Sequence, residues 1–320
     1  MPIQQAIRST PRADLGQAFH EFIPDGMRFV AEECLPVLDV AKEAATISVI
    51  TRENANVVGN QHANGGTYPR VHLGSEDKSY STADYGLEGQ LTDHDRERFF
   101  NDYDAEIETI QVVKTKMLLA KEIRAAAALF NTGTWAGAAL TTDVTGDWDA
   151  AASDVIGHVA AAIEKIRQNT GQRADSMVIG PVTYKNLKAN TAILARFASN
   201  PQVLTNAIWK QYITEILDLQ NLFVADGVYN SAAEGQSFAA ADIWSDDYAL
   251  VFKRHSGSLA NFGLGRTLRW IGPAGVLVNG LENVITYREE QTRSDIFGVQ
   301  EYVREFILDA YAGHLLQIDT

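Results

Sequence analysis

The stretch HDRERFFNDYDAEIETIQVVKTKMLLAKEIRAAAALF, residues 94–130, decides how the rest of the sequence is interpreted. Its apolar residues recur at intervals of three and four, as on one face of an α-helix. They are Phe99, Tyr103, Ile107, Ile110, Val113, Met117, Ala120 and Ala127. No proline or glycine interrupts the pattern before Gly133. The stretch predicts one continuous helix of roughly 50 Å, about three times the usual length, which is typical of an extended subunit.

The segments before this helix contain few orderly apolar patterns. Four prolines interrupt residues 1–51, so we expect an irregular N-terminal arm with a short helix near 25–34 and a strand over 46–51. Residues 52–92 are rich in glycine, asparagine, serine and aspartate, and they predict a long two-stranded loop around the alternating run 67–73. A loop of about 40 residues is far longer than usual connections. We expect it to be either disordered or functional, and it would be ordered if it lay on a neighbouring subunit.

Alternating helix and strand patterns follow the long helix. A connector occupies 131–148, with strand character around 138–143. Residues 149–260 predict an α/β domain with helices at 154–168, 182–190 and 203–219 and strands at 177–180, 221–225 and 248–252. Strand character dominates 261–320. For 299–311 the apolar spacing favours a helix, whereas the β-branched and aromatic content favours a strand.

The composition excludes several classes of protein. Of 320 residues, 46% are hydrophobic and 21% charged, which is typical of a folded globular chain. The net charge of −14 opposes nonspecific binding to DNA or acidic membranes. Cys34 is the one cysteine, so an intrachain disulfide is excluded, and we expect a buried structural thiol. Without an apolar leader or a run of about 18 apolar residues, we expect neither a signal peptide nor a membrane span.

Motifs that would indicate an enzyme are weak. The seven histidines have no spacing typical of a metal site. Residues 263–266 (GLGR) begin like a dinucleotide-binding loop, but the third glycine position is Leu268. Asp143, Asp147 and Asp149 lack the glycine and the glutamate of an EF-hand calcium loop. We therefore expect no enzyme activity, no cofactor and no metal, although catalytic groups can assemble from distant positions.

The order of these segments resembles the major capsid proteins of tailed bacteriophages, which have the Hong Kong 97-like fold. Residues 176–188 (SMVIGPVTYKNLK) look like the strand and helix of that family's axial domain, and 293–298 (RSDIFG) is similar to the start of its last peripheral strands. The resemblance implies an α+β fold with an N-terminal arm (1–51), an extended β-hairpin loop (52–92), a peripheral domain with a long spine helix (93–148), an α/β axial domain (149–260), and peripheral strands with the chain end (261–320). On this basis we expect 299–311 to be a strand.

The resemblance implies a protein that self-assembles into the pentamers and hexamers of an icosahedral shell. Such a shell encloses double-stranded viral DNA without sequence-specific binding. Because the sequence starts at Met1 and has no coiled-coil extension, we expect a separate scaffolding protein. A portal is a further expected partner, and some relatives also bind a decoration protein. We expect assembly in the host bacterial cytoplasm and a final place in the virion.

At the interface between subunits, we expect bases of the loop to meet acids of the neighbouring long helix. The candidate bases are Arg70 and Lys78, and the candidate acids are Glu97, Asp102 and Glu106. Exposed ion pairs contribute only about 0–1 kcal/mol each. The main stabilisation is therefore expected from apolar burial over interfaces of several thousand Å² in an obligate assembly.

Two alternative functions remain open from the sequence. An encapsulin-type nanocompartment has the same fold, but it encloses a cargo enzyme instead of DNA. An α/β enzyme that uses residues 52–92 as an active-site lid is the other alternative. It predicts a small oligomer with a pocket lined by ionisable groups of perturbed pKa.

Overall fold

The computed structural model describes residues 10–22, 28–50, 52, 57–61, 66, 68–100, 104–144, 148–197, 206–233, 235–257, 261–272, 277–278, 281–282 and 284–318. The helices are α1 (Ala13–Glu21), α2 (Ala31–Cys34), α3 (Asp93–Phe99), α4 (Ala105–Leu129), α5 (Val155–Thr170), α6 (Pro181–Ala189), α7 (Thr191–Phe197) and α8 (Asn206–Ile216). The strands are β1 (Thr10–Pro11), β2 (Val37–Val40), β3 (Ala44–Ile50), β4 (Ser75–Ser81), β5 (Ala83–Thr92), β6 (Thr141–Asp143), β7 (Ser176–Ile179), β8 (Asn221–Val224), β9 (Val228–Asn230), β10 (Ala240–Asp242), β11 (Tyr248–Phe252), β12 (Gly265–Trp270), β13 (Leu277–Val278), β14 (Leu281–Glu282), β15 (Ile285–Glu289), β16 (Ser294–Ile307) and β17 (Gly313–Gln317). A 3₁₀ turn, Ala310–Ala312, separates β16 from β17.

The larger sheet is organised around β16, a strand of 14 residues. Its order is β1-β15-β16-β12-β2, and β5 also pairs with β16 in antiparallel register from Ser294 opposite Thr92 to Val303 opposite Ala83. The strand predicted for 299–311 is therefore confirmed as far as Ile307. The apolar spacing resembles a helix because Val299 and Val303 are buried on one face of β16 while the apolar Tyr302 and Phe306 lie half-buried on the other, which removes the simple alternation of a half-exposed strand.

The smaller sheet has the order β6-β17-β11-β7-β8 and is covered on both faces. Met177 and Ile179 of β7 lie in a core with α5, α6 and α8, whereas Val178 faces a second core with α2 and α4. The predicted strands of the α/β region and its first helix are confirmed. Gly171 ends α5 with a φ of 73°, as its sequence position indicates. The sequence did not predict α7.

The sheets do not follow the predicted domain limits at two points. β6 lies within the predicted region 93–148 and β17 within 261–320, yet both pair in the sheet of β7, β8 and β11. Strand pairing between distant segments is not visible in local sequence patterns. The limits at 149 and 261 therefore stay a prediction.

The prediction of one continuous helix over 94–130 is wrong at its N-terminal end. α3 ends at Phe99, and α4 begins after Asp104, whose carboxylate accepts the N–H groups of Glu106 and Ile107. An aspartate in this arrangement is an N-cap, which satisfies orphan donors at the start of a new helix. α4 has 25 residues and a length of about 37 Å.

The buried face of α4 changes along the helix. Ile110 and Val113 pack in a core with α1, β5 and β16, whereas Leu129 packs in the core of the smaller sheet. Ala120 and Ala127, which the single predicted stripe placed inside, are exposed. One stripe cannot describe α4 because its two halves face different cores. α4 therefore connects both sheets.

Three predictions for the first 92 residues differ from the structure. Residues 13–21 form helix α1, whose Leu15 and Phe19 are buried, instead of an irregular arm. The strand predicted at 67–73 is displaced, because residues 68–74 have no regular structure and the strand is β4. Thr67 lies outside the described residues. β5 pairs with β16 along ten residues, so 83–92 belongs to the larger sheet instead of the loop.

Candidate subunit interface

The β3–β4 hairpin carries a segment with exposed apolar side chains. The strands pair in antiparallel register from Ala44 opposite Ser81 to Ile50 opposite Ser75. We call the described part of residues 57–73 the outer segment. Its apolar residues are solvent-exposed, and they are Val57 (99% exposed), Val58 (48%), Tyr68 (73%), Val71 (73%) and Leu73 (72%). So many large apolar side chains exposed in one segment indicate a contact with another molecule.

The opposite end of the hairpin is anchored by apolar packing, and we call this end the hairpin root. Tyr80 is buried in a small core with Val40 and Leu268. Its ring lies edge-on to Phe306 at 6.4 Å between centroids, and its hydroxyl donates to the carbonyl of Lys42 at 3.0 Å. The root is therefore a fixed part of its own subunit.

Further towards the outer segment, two cations of the hairpin contact the corner between β16 and β17, residues 308–312. Lys78 Nζ donates to the carbonyl oxygen of Leu308 at 2.7 Å. The guanidinium of Arg52 lies 3.9 Å from the ring centroid of Tyr311, a cation–π arrangement. Burial raises the pKa of Asp309 in this corner, and the positive charges of Lys78 and Arg52 oppose that shift.

The structure does not bring the predicted interface residues together within the subunit. Arg70 is exposed within the outer segment, and Glu97 is exposed on α3. Lys78 is directed at its own corner and lies 4.0 Å from the carboxylate of Glu76. Asp102 lies outside the described residues. Whether any of them meets a neighbour stays a prediction.

Glu106 belongs to an ion-pair network inside the subunit. Its carboxylate pairs with Arg96 at 2.8 Å and lies 3.6 Å from Arg12, which precedes α1. Arg96 also contacts Asp295 of β16 at 2.7 Å, and Asp295 lies 3.3 Å from Arg288. The network joins α1, α3, α4 and β16. The network has no signal in the sequence, because its partners are up to roughly 200 positions apart and exposed ion pairs have no local signature.

Glu122 of α4 is the most buried carboxylate in this region and was not singled out from the sequence. It is 1% exposed and accepts hydrogen bonds from the backbone N–H groups of Val30 (2.8 Å) and Ala31 (2.9 Å) and from the indole N–H of Trp244 (2.8 Å). Burial raises its pKa, and these three donors oppose the shift. Glu122 therefore joins α4 to α2 and to the chain before β11.

Cys34, the residue at the end of α2, is fully buried, as predicted for a structural thiol. Burial raises its pKa well above the ordinary value, and the negative charge of Glu122 adds to that shift. A thiol held protonated in this way is a weak nucleophile.

A surface cavity of about 490 Å³ lies between α8 and β8. Lys210, Thr214, Asn221 and Phe223 are among its lining residues, and none of the lining residues comes from 52–92. Within the described ranges, no group of three or more His, Cys, Asp or Glu side chains could hold a metal ion. No helix in the described part of the chain is long and apolar enough to cross a membrane.

Two phage proteins are similar in sequence along most of the chain. The major capsid protein of Burkholderia phage BcepMu is 24% identical over 297 residues, which cover 90% of this chain and 90% of that protein. The major capsid protein of Pseudomonas phage JBD67 is 22% identical over 257 residues, covering 79% and 80%. No known family profile matches the sequence.

Solved structures share the fold. A phage-related protein from Bordetella bronchiseptica RB50 matches with a TM-score of 0.71 at 16% identity, covering 97% of both chains. The capsid structure of Cyanophage P-SCSP1u matches with a TM-score of 0.53 at 13% identity, covering 94% of this chain and 91% of that chain. An encapsulin from Synechococcus elongatus PCC 7942 matches with a TM-score of 0.51 at 10% identity, covering 90% of this chain and 86% of that chain. The chain has an α+β, Hong Kong 97-like fold.

Proposed function

We infer that this chain is the major capsid protein of a tailed bacteriophage, which assembles with copies of itself into an icosahedral shell around the viral DNA. The observation that carries this inference is the similarity to a phage major capsid protein over 90% of both chains. The fold agrees with it independently, because a phage capsid matches over more than nine-tenths of both chains. The exposed apolar side chains of the outer segment support assembly by a physical argument that needs no relative.

Self-assembly requires a surface on each subunit that receives the outer segment of the next one. We propose that the exposed face of α4 is this surface, because Val112 is 53% and Ile123 42% exposed on it. Apolar burial contributes roughly 25 cal/mol per Å², so Tyr68, Val71 and Leu73 would dominate the contact. Head-to-tail contacts of this kind close into rings, which fits the pentamers and hexamers of a shell.

Within the described part of the chain, only some of the charged residues predicted at this interface are free of ion pairs or hydrogen bonds that would hold them in their own subunit. Lys78 and Glu106 have partners in their own subunit. Arg70 and Glu97 are exposed and can meet across subunits. A single exposed pair of this kind contributes about 0–1 kcal/mol, so it would adjust the register of the contact more than its strength.

The domain assignment follows the sheets more closely than the predicted limits. We propose that the larger sheet with the first half of α4 is the peripheral domain and that the smaller sheet with α5–α8 is the axial domain. β6 and β17 then belong to the axial domain because they pair in its sheet. Glu122 would hold α4 and α2 on the axial domain, since it binds both α2 and Trp244.

The remaining partners follow from the role as a shell protein. We propose a separate scaffolding protein and a portal, assembly in the host bacterial cytoplasm, and residence in the virion. A decoration protein is present in some phages. The net charge of −14 supports enclosure of DNA without tight or sequence-specific binding, because like charges repel. The role is structural and requires neither catalysis nor a cofactor.

An encapsulin-type nanocompartment is the second candidate, because the encapsulin from Synechococcus elongatus PCC 7942 has a similar fold. The sequence similarity to two phage capsid proteins favours the virion. An enzyme with a lid at 52–92 is weaker, because the sequence similarity along most of the chain is to phage capsid proteins.

Sedimentation velocity and negative-stain microscopy of the purified full-length protein test the proposal. We expect particles of megadalton mass, either alone or after coexpression with the scaffolding protein of the same phage. The ratio of absorbance at 260 and 280 nm in particles from infected cells separates a DNA-filled virion from a cargo compartment. A stable monomer or dimer at low and high salt, with and without that scaffold, contradicts the proposed function.

A further inference from the structure

The β3–β4 hairpin is held to its own subunit by two kinds of contact. The hairpin root is apolar and buried, with Tyr80 7% exposed. Further out, Val49 is also buried, and the polar contacts are made by cations that water can reach, because Lys78 keeps 30% of its side-chain exposure and Arg52 is exposed. Release of the outer contacts would leave the root in place, so the hairpin can change direction without unfolding.

The outer contacts converge on the corner at 308–312. Lys78 donates to the Leu308 carbonyl at 2.7 Å, and Arg52 lies over the ring of Tyr311 at 3.9 Å. The carboxylate of Asp309, in the same corner, attracts both cations. Lys78 is opposite Ile47 in the middle of the hairpin, whereas Arg52 lies beyond the end of β3. The corner therefore contacts the hairpin from its middle to its outer end.

We propose that these two contacts form an autoinhibitory latch, which holds the hairpin against its own subunit until a neighbouring copy takes up the outer segment. This inference rests on the proposed shell function. The apolar side chains of the outer segment stay exposed while the two contacts are made, so the latch acts by fixing the direction of the hairpin and not by covering these side chains. Weak, solvent-accessible contacts suit a latch. A neighbouring subunit releases them if it binds the released hairpin only slightly more tightly than the latched one.

If the latch exists, Lys78 restrains the hairpin within its own subunit. Neutralising Lys78 should then speed assembly, whereas the loss of a contact between subunits would slow it. If Lys78 bonded mainly to acids of a neighbour, neutralising it would slow assembly. If it restrains the hairpin, neutralising it shifts subunits towards the released state. The assembly rate then rises by about 3- to 10-fold, as expected for the loss of one or two weak contacts.

The test compares Lys78→Met, Tyr311→Leu and their double variant with the wild-type chain. Methionine keeps the alkyl stem of lysine and removes its charge, and leucine removes the aromatic face. Lys42→Met is the matched control, because Lys42 is an exposed lysine at the hairpin root. Hydrogen exchange of the full-length subunit reports on 44–50 and 75–81, and light scattering reports on assembly with the scaffold supplied at fixed concentration.

We expect about 3-fold or faster hydrogen exchange in both strands of the double variant, together with faster growth of normally sized particles. Lys42→Met should match the wild type in both measurements. Unchanged exchange in the hairpin, or slower assembly of the Lys78→Met variant, overturns the latch. If the wild type and every variant form no particles, the proposed function fails. The exchange comparison then still decides whether the hairpin is held by these contacts.

Variants that lose the fold are recognised by urea unfolding before assembly is measured. Arg52→Gln is a second way to weaken the latch and leaves the packing of Tyr311 unchanged. It should increase exchange in 44–50 in the same direction as Tyr311→Leu. Opposite effects of these two substitutions would also overturn the latch, because both remove the same cation–π contact.

Discussion

The carboxylate of Glu122 accepts a hydrogen bond from the indole N–H of Trp244 at 2.8 Å, although 122 positions separate the two residues. The same carboxylate accepts the N–H groups of Val30 and Ala31 at the start of α2. One buried side chain therefore holds three segments together. We therefore expect the stability of the subunit to be sensitive to substitution of Glu122.

Replacing Glu122 with alanine should destabilise the subunit by about 2–4 kcal/mol, because three buried N–H donors lose their acceptor. Urea unfolding of the dissociated subunit, followed by tryptophan fluorescence, measures the change. Glu108→Ala is the control, because Glu108 is exposed on the same helix. Equal stability of the two variants would contradict the role assigned to Glu122.

Glu122 should also make stability depend on pH. Because burial raises its pKa above the ordinary 4.5, the folded state holds this proton more tightly than the unfolded state. This contribution to stability is fully present below pH 4.5 and is lost as pH rises through the raised pKa.

Comparison with Glu122→Gln isolates that contribution, since glutamine does not titrate. As the pH rises above 4.5, the unfolding free energy of the wild type should fall relative to that of Glu122→Gln. Urea titrations at several pH values measure this difference. The other carboxylates are present in both proteins, so their contributions cancel. A difference that is constant with pH would show that Glu122 has the same pKa in both states.

Gly89 of β5 should tolerate no side chain, because α4 lies directly on it. A Cβ at this position would lie 2.6 Å from Thr109 Cγ2 and 2.8 Å from Val113 Cγ2. Gly89→Ala should therefore destabilise the subunit by about 1–3 kcal/mol through overpacking. Gly86→Ala is the matched control on the same strand, since its Cβ would meet the nearest atom, the Val299 carbonyl oxygen, at 3.4 Å.

A second substitution can relieve part of this strain. Thr109→Ser removes Cγ2 and keeps the hydroxyl that donates to the Ala105 carbonyl. The double variant Gly89→Ala with Thr109→Ser should recover part of the lost stability in thermal unfolding. No recovery would indicate that Val113 or the backbone of α4 limits the approach of the helix.

The outer segment should matter for assembly and little for the stability of the subunit. Val71 and Leu73 are more than 70% exposed, so Val71→Asp and Leu73→Ser remove little buried surface from the isolated chain. In a shell they would place polar groups in an apolar contact, which costs about 1–3 kcal/mol for each unpaired group. Light scattering should show that assembly requires a several-fold higher subunit concentration.

Ser81→Asp controls for added charge near the hairpin root, where Ser81 is exposed on β4. It should assemble as the wild type does, and urea unfolding should give all three variants similar stability. Normal assembly of both Val71→Asp and Leu73→Ser would exclude the outer segment from the interface between subunits.

Local signals predicted the α/β region well. Gly171 as a C-terminal stop and Pro181 at the start of α6 are recognisable without tertiary information. The continuous apolar runs of β7, β8 and β11 indicate strands buried on both faces, and the structure has them in one sheet. The helix break near residue 100 was missed because an aspartate inside a helical pattern can be either an exposed residue or an N-cap.

Local sequence patterns were sufficient to predict the element types with strong periodicity, the order of the segments and, through that order, the resemblance to capsid proteins. Which strands pair, the contact of Lys78 with its own Leu308 and the binding of three segments by Glu122 became visible only in the folded chain. Helix caps and hydrophobic periods act over a few residues. The contacts of Glu122 and Lys78 join residues 91 to 230 positions apart, and the order of the strands depends on how the whole chain packs.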